Sequence, residues 1–476
     1  MRNVLLVRGV ALALIVPHLL AAVWAWPATI FTLGYLTLLA GRPRWQLGLW
    51  VLAGPFLVIA AYTAPGWNLW YRAAVILALS LASLPLPGGQ GVRATTMAVS
   101  LALTILLTYA LDRGVGLVAG ERQPGGLVFP RGSVVAYDTP EFSHSVIINE
   151  YGFRGASADL ARDEDCRIML LGDSFTYGWG VAYDQTWGAL LEDALQADGF
   201  NARVLNLGVP GGAPPDYAVI AATAGPIIAP DVVLVGVLQG DDMRQITREP
   251  GVFPRTLTFG EQSPSSPVTT YLTFHYPHIA ERTLLRGLSA RRVRQTWAAT
   301  AAAFREAHTP KQKQRYATVP AAVRADVAAG RINPHFVELA VTAPDYWTWP
   351  LQEPSTLQPY VAMLTDNLTA VQVAVGGARV TVVSVPHGAY TQAEAQAALR
   401  QLGFDLPPAT LTNTFVDGAI QQAAEAAGLP FISATAAFRA DATLAFFPVD
   451  GHFNAHGNAL MATALTDAVR AACGDS

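Results

Sequence analysis

The chain has 476 residues, 52% of them hydrophobic and 14% charged, with a formal net charge of −4. That length allows two or three domains, and so small a net charge gives no reason to expect nucleic acid or a strongly acidic partner. The 2 cysteines, Cys166 and Cys473, form no metal-ligand cluster and have no redox spacing.

The excess of apolar residues lies before about Gly114. Apolar segments run from Val4 to Trp24, Ala28 to Ala40, Trp45 to Ala64, Trp70 to Leu84 and Thr95 to Leu111. A membrane span takes ~20 residues, so residues 1–114 read as an all-α transmembrane domain of about five helices, with the second and fourth segments short. A cleaved signal peptide does not fit, because further apolar sequence follows where polar chain would be needed. If the segments alternate, Arg2, Arg8, Arg42, Arg44 and Arg93 share one side and Arg72 and Arg113 the other. The positive-inside rule makes the first side cytoplasmic. Everything after Asp112 is then outside the cytoplasm; if Ala28 to Ala40 does not cross, it is inside. The expectation is a multi-pass protein of a bacterial inner membrane, held in the lipid bilayer, with its remaining domain on the extracytoplasmic side.

Residues 115–161 are rich in Gly, Pro and turn formers, with one strand-like patch at Ser145 to Asn149, and read as a linker that becomes a wrapping segment. From residue 162 to 476 the chain alternates between strand and helix patterns. Strands are predicted at Arg167 to Leu171, Arg203 to Leu207, Val232 to Leu238, Val380 to Val385 and Phe431 to Ser433. Helices are predicted at Trp187 to Ala197, Asp216 to Thr223, Gln358 to Val375, Asn413 to Ala427 and His456 to Ala472. Such alternation predicts an α/β domain with a parallel sheet covered on both faces.

An insertion at about 243–357 breaks the order. It holds a basic helical stretch, Glu281 to Arg294, and an aromatic patch, Tyr346-Trp347-Thr348-Trp349. Insertions at the carboxyl edge of a sheet commonly form a lid or substrate wall. Leu284, Leu285 and Leu288 beside Arg286, Arg291, Arg292 and Arg294 suit an anionic lipid or glycan, but a solvated face with an apolar stripe packed on the core is the favoured reading. Cys166 precedes the first strand of this domain and Cys473 ends its last helix. Helices run antiparallel to strands in such folds, so the thiols meet either as a disulfide in an oxidising compartment or as two buried, unpaired groups.

Four pieces of sequence fall at carboxyl ends of successive elements. They are Gly172-Asp173-Ser174, Asn206 to Gly212, Gln239-Gly240-Asp241-Asp242, and Asp450-Gly451-His452. Ligands of open α/β sheets bind at that edge. A serine hydroxyl needs a base to take its proton, and His452 is the candidate. An imidazole needs a carboxylate to fix its tautomer, and Asp450 stands two residues away. A developing oxyanion needs fixed donors, which the backbone N–H groups of Ser174 and Gly211 can supply.

These pieces resemble the blocks of the SGNH, or GDSL-type, hydrolase superfamily. Gly172-Asp173-Ser174 with Thr176 and Gly178 matches the first block, Asn206 to Gly211 the second, Gln239 to Asp242 the third and Asp450 to His452 the last. Val146 to Gly155, with Arg154, resembles the lead-in of bacterial members. The resemblance covers roughly Phe142 to Ala472 without the insertion. It implies a flavodoxin-like three-layer α/β/α sandwich with a five-stranded sheet in the order 2-1-3-4-5, ester hydrolysis or acyl transfer, and neither cofactor nor metal.

The chain departs from the family pattern in block III. The family's asparagine, whose side chain is the third oxyanion donor, is replaced by Asp241, and an ionised carboxylate accepts rather than donates. Losing one such donor costs roughly 10²–10³ in turnover. Either Asp241 is protonated, or Gln239 lends its amide, or the site is slow or lost. The Asp450-X-His452 spacing is also one residue shorter than the commoner form.

Among the remaining polar residues, His387 reads as a solvated turn histidine more than a pocket residue. His456 reads as a cap or as a substitute for His452, Asp173 as an organiser of the serine turn, Arg154 as an anchor of the lead-in, and Asp184 as an N-cap. The expected function is a serine esterase acting on an acylated glycan or lipid. The alternatives are an O-acyltransferase for an envelope polysaccharide and a weakened binding or structural subunit. The apolar segments hold Arg8 and Arg72 as their charged residues, with no His or Asp pair at membrane depth, which argues against a donor-handling membrane domain.

Overall fold

Where aliphatic and β-branched residues run together without a breaker, as in Val232 to Leu238, the chain forms strands buried on both faces. The computed structural model describes residues 126–474 except 132, 156–159, 161–163, 255–283 and 352–353. Two compact units divide the chain, and the description below concerns the second, Gly125–Ser263 with Ala290–Ser476. The five apolar segments expected to cross a membrane lie outside the described residues. Among the described residues no helix is long and apolar enough to cross one.

A hairpin opens this unit, β1 (Val134–Asp138) paired antiparallel with β2 (Ser143–Ile147). The single strand-like patch read from the sequence is thus the second of two strands. The parallel sheet contains β3 (Cys166–Leu171), β4 (Ala202–Asn206), β5 (Val232–Leu238), β6 (Arg379–Val385) and β7 (Phe431–Ser433). Its order is β4-β3-β5-β6-β7, every pair parallel. In order of first appearance this is 2-1-3-4-5, as the resemblance implied.

The helices are α1 (Ser174–Tyr177), α2 (Trp187–Ala197), α3 (Pro214–Ile228) and α4 (Asp241–Gln245). Within the insertion follow α5 (Leu284–Ala307), α6 (Pro310–Thr318), α7 (Ala321–Ala328) and α8 (Pro334–Thr342). The chain then forms α9 (Gln358–Val375), α10 (Gly388–Thr391), α11 (Ala393–Leu402), α12 (Phe415–Ala426), α13 (Thr435–Ala440) and α14 (Ala455–Gly474).

Because successive strand side chains point to opposite faces, β3 feeds two cores. Met169 and Leu171 join Tyr217 and Ile220 of α3 and Leu364 and Leu368 of α9 on one side. Ile168 and Leu170 join Trp187 and Leu191 of α2 and Met461 and Leu465 of α14 on the other. This is a three-layer arrangement. From Leu284 on, the basic stretch of the insertion belongs to α5, which seats Val293, Trp297 and Ala301 in the core, while Arg294 pairs with Asp138. The side chains of Leu284, Leu285 and Leu288 lie outside the described residues.

Cys166 at the start of β3 and Cys473 near the end of α14 form a disulfide, with Cα atoms 5.6 Å apart. The lead-in docks on the sheet through Arg154, whose backbone bridges to both Ile148 and Asn206. Its buried guanidinium donates to the carbonyls of Tyr177, at 2.6 Å, and Gly178 and Val181, at 2.5 Å each. That fits the anchoring role read from the sequence.

Candidate active site

Two close approaches shape the serine turn. A Cβ on Gly172 would stand 2.1 Å from Thr176 Oγ1, and one on Gly208 would stand 2.3 Å from the Tyr177 nitrogen. Only glycine lets β3 enter α1 this tightly and lets the loop after β4 lie against it. Asp173 caps α1, its Oδ1 accepting from the Phe175 N–H at 2.9 Å. Asn206 Nδ2 donates to the Thr176 carbonyl at 2.7 Å, and Asn206 Oδ1 accepts from Gly208 N–H at 3.0 Å, joining the second block to the serine turn.

The last block reaches the same place from the far end of the chain. Gly451 has φ +81°, the left-handed turn that lets Asp450 and His452 face each other across one residue. Ser174 Oγ lies 2.7 Å from His452 Nε2, and His452 Nδ1 lies 2.6 Å from Asp450 Oδ1. With Nδ1 against a carboxylate, the ring proton sits on Nδ1 and Nε2 is left to accept from the serine. Trp179 Nε1 donates to the other Asp450 oxygen at 3.1 Å. The Phe175 ring lies 4.7 Å from the imidazole, centroid to centroid. Ser174 and His452 remain partly exposed, and Asp450 is buried.

Burial by itself would lower the His452 pKa, but the Asp450 carboxylate, through charge and hydrogen bond, and then Asp173 and Asp241 outweigh it and hold the imidazole above its usual range. The arrangement can therefore store a proton taken from Ser174.

Beside the serine, carboxylate oxygens of Asp173, Asp241 and Asp242 lie within 4.8 Å of one another. Negative charge at such close quarters disfavours ionisation of the two buried members, Asp173 and Asp242. Burial pushes Asp173 up first, with Asp241 adding, while His452 pulls it down. Asp242 is pushed well up, by burial and then by Asp173 and Asp241. Its oxygens accept from Tyr217 O–H at 3.0 Å and from Leu238 N–H at 2.8 Å. Asp241 Oδ1 accepts from Gln245 Nε2 at 2.8 Å and from the Tyr346 hydroxyl. Among the described residues this trio has the spacing of cation ligands.

Gln239 does not face this site. Its Nε2 donates to Thr435 Oγ1 at 2.6 Å, Ser384 Oγ at 3.0 Å and Asp417 Oδ1 at 3.1 Å, so its amide is spent between the sheet and α12 and is not available to replace the missing asparagine. Gly211, in the loop after β4, is exposed with φ +64°, and its carbonyl accepts from Arg248 Nη2 at 2.6 Å.

His387 is a buried N-cap rather than a solvated turn residue. Its Nδ1 accepts from Ala389 N–H at 3.2 Å, its ring stacks on Trp347 at 3.7 Å, and burial lowers its pKa to about 3. His456 pairs with Asp441 at 3.0 Å, not with the triad. The N-cap of α2 is Thr186, with Asp184 one 3₁₀ turn earlier. The sequence reading missed Trp179, Tyr346 and Glu141. Tyr346 and Trp347 lay in the aromatic patch, the one signal that pointed at them.

The hydrogen-bonded chain Ser174–His452–Asp450 at the carboxyl edge of a parallel five-stranded sheet is the arrangement the resemblance to SGNH hydrolases implied. No family model matches the chain, nor does any curated relative. Solved structures similar to it include a lipase/acylhydrolase from Enterococcus faecalis, 15% identical over 64% of this chain and 96% of that one, with a TM-score of 0.33. Another is a catalytic mutant of Axe2, an acetylxylan esterase from Geobacillus stearothermophilus, 11% identical over 64% and 94% with a TM-score of 0.31. A third is LAE5, an alpha/beta hydrolase enzyme from the metagenome of Lake Arreo, Spain, 12% identical over 66% and 98% with a TM-score of 0.30.

Proposed function

We propose that this protein is a membrane-anchored serine esterase of the SGNH type that removes acyl groups from a glycan or lipid outside the cytoplasm. The carrying observation is the pair of contacts at His452, 2.7 Å to Ser174 Oγ and 2.6 Å to Asp450 Oδ1. The location is supported by the arginine asymmetry of the apolar segments and by the Cys166–Cys473 pairing, which suits an oxidising compartment.

In this reading Ser174 Oγ attacks the ester carbonyl carbon as its proton passes to His452 Nε2. Asp450 stabilises the imidazolium, and N–H groups of Ser174 and Gly211 receive the oxyanion. The intermediate collapses, the alcohol leaves with the proton from His452, and the acyl group stays on Ser174. Water then attacks the acyl-enzyme with His452 as base, releasing the acid and restoring the serine. Treating the full-length protein with a fluorophosphonate tests this: Ser174 should be labelled and Ser174→Ala should not. Intact, folded protein that resists labelling would exclude an activated serine.

The acidic trio supports a second reading, a weakened binding or structural subunit. At position 241, Asn keeps an oxygen for Gln245 and Tyr346 and puts an N–H₂ in place of the second carboxylate oxygen. On the esterase reading Asp241→Asn changes turnover less than about 10-fold; a gain of about 10² or more marks the natural site as crippled, since that is what one donor is worth.

A further inference from the structure

The turn between β1 and β2 grips the loop that carries Asp450 and His452. Glu141 Oε1 accepts from the Val449 N–H and Oε2 from the Asp450 N–H, each at 2.8 Å, across more than 300 residues of chain. The turn is itself fixed, since Thr139 Oγ1 accepts from Glu141 N–H at 3.2 Å and Phe142 N–H at 2.9 Å. Next to the carboxylate, Phe142 packs on Phe447 at 5.1 Å, and Phe447 N–H donates to the His452 carbonyl at 2.8 Å. Asp450 is therefore held at three points: His452 and Trp179 take its carboxylate and Glu141 takes its backbone.

We propose that Glu141 is a positioning residue for the Asp450–His452 arm, by which the segment arriving from the N-terminal part of the chain sets the geometry of the base. The proposal rests on the esterase reading above for its kinetic consequence, but not for the clamp itself. An ionised carboxylate accepts both backbone N–H groups at full strength, whereas protonation turns one of its oxygens into a hydroxyl, a weaker acceptor that needs an acceptor of its own.

Burial raises the Glu141 pKa to about 7, with the Val449 amide lowering it and the Asp450 charge raising it. The groups facing it are Asp450 on the clamped loop and, around one cavity of about 470 Å³, His144 of β2 and His456 of α14, the latter paired with Asp441. The clamp is complete above about pH 7 and loosened below. Stability has the opposite sign: a carboxyl raised in the folded state favours folding at low pH, and that contribution is lost as pH rises through about 7.

The test compares wild type with Glu141→Gln, which accepts one amide and sets an N–H against the other. Its kcat should fall about 10-fold with KM unchanged, as for a small misplacement of a catalytic group, and its profile should lose the step that Glu141 adds near pH 7 and keep the acid limb of His452. Independently of turnover, modification of His452 by diethyl pyrocarbonate, read by peptide mass spectrometry, should titrate about half a unit or more lower, because a looser Asp450 supports the imidazolium less. Glu141→Asp, one methylene too short to span both amides, should move both readouts in the same direction. Folded variants that keep the wild-type pH profile and His452 titration, or that change only the melting temperature, would overturn the proposal. Wild type that takes no fluorophosphonate would sink the esterase reading instead, and the His452 titration would still decide the clamp.

Discussion

Asp450 determines how His452 behaves, since its charge and hydrogen bond lead the contributions that overcome the cost of burying an imidazolium. In Asp450→Asn only the more distant Asp173 and Asp241 still oppose burial, so the imidazole pKa must fall. The neutral ring is the form that accepts the serine proton, so the acid limb of the kcat/KM profile moves to lower pH. Meanwhile kcat drops by roughly 10⁴ as the tautomer is lost. A raised histidine stabilises the fold below its ordinary pKa, and that support fades as pH passes its folded value, so the variant also loses acid-side stability. A pH–rate series with thermal melts at each pH checks both; an acid limb that stays in place would mean Asp450 does not set the imidazole.

At the same scale, Ser174, His452 and Asp450 were readable because each sits in a short local pattern with a chemical purpose. Glu141 and Trp179 were not, since each acquires meaning only by meeting Asp450, Trp179 from 271 positions away. The alternative in which Gln239 lends its amide fails for the converse reason: its position in block III looked available, but Ser384, Asp417 and Thr435 come to it from other elements.

The strands were legible at the scale of elements because burial on both faces leaves unbroken aliphatic runs that differ from any surface helix. Boundaries shifted where capping decided them. α3 begins at Pro214, before the predicted Asp216, because Pro suits a first helical turn and Asp216 Oδ2 reaches back to the Ala213 N–H at 3.0 Å. β1 was missed because a short hairpin strand followed by turn residues looks like linker. The placement of Cys166 and Cys473 followed from antiparallel packing of the last helix on the sheet.

That disulfide closes a chain separation of 307 residues, at the end of α14 away from His452. Twenty helical residues extend about 30 Å, so the bond acts on the helix rather than on the site. Cys166→Ser with Cys473→Ser should cost on the order of 2–5 kcal/mol in unfolding free energy. Fluorophosphonate labelling of Ser174 at temperatures well below the melt should stay near that of wild type. Denaturant unfolding with and without reductant measures the first, and a parallel loss of labelling would show that the helix carries strain to the site.

On the scale of the whole molecule, under the proposed membrane anchoring the side of the membrane follows from counting apolar segments, and that count decides which substrates the site can meet. Five crossings from a cytoplasmic start put residues after Asp112 outside, where envelope glycans and acylated lipids are found and where a disulfide persists. Four crossings put the same residues in a reducing compartment, where neither condition holds. An alkaline phosphatase reporter, which needs oxidising conditions to fold, separates the two when fused in the intact cell after Asp112 and after Arg44. The first fusion should be active and the second silent. If instead the first is silent and the second active, the segment at Ala28 to Ala40 does not cross, the thiols face glutathione, and the substrate must be an ester of the cytoplasm.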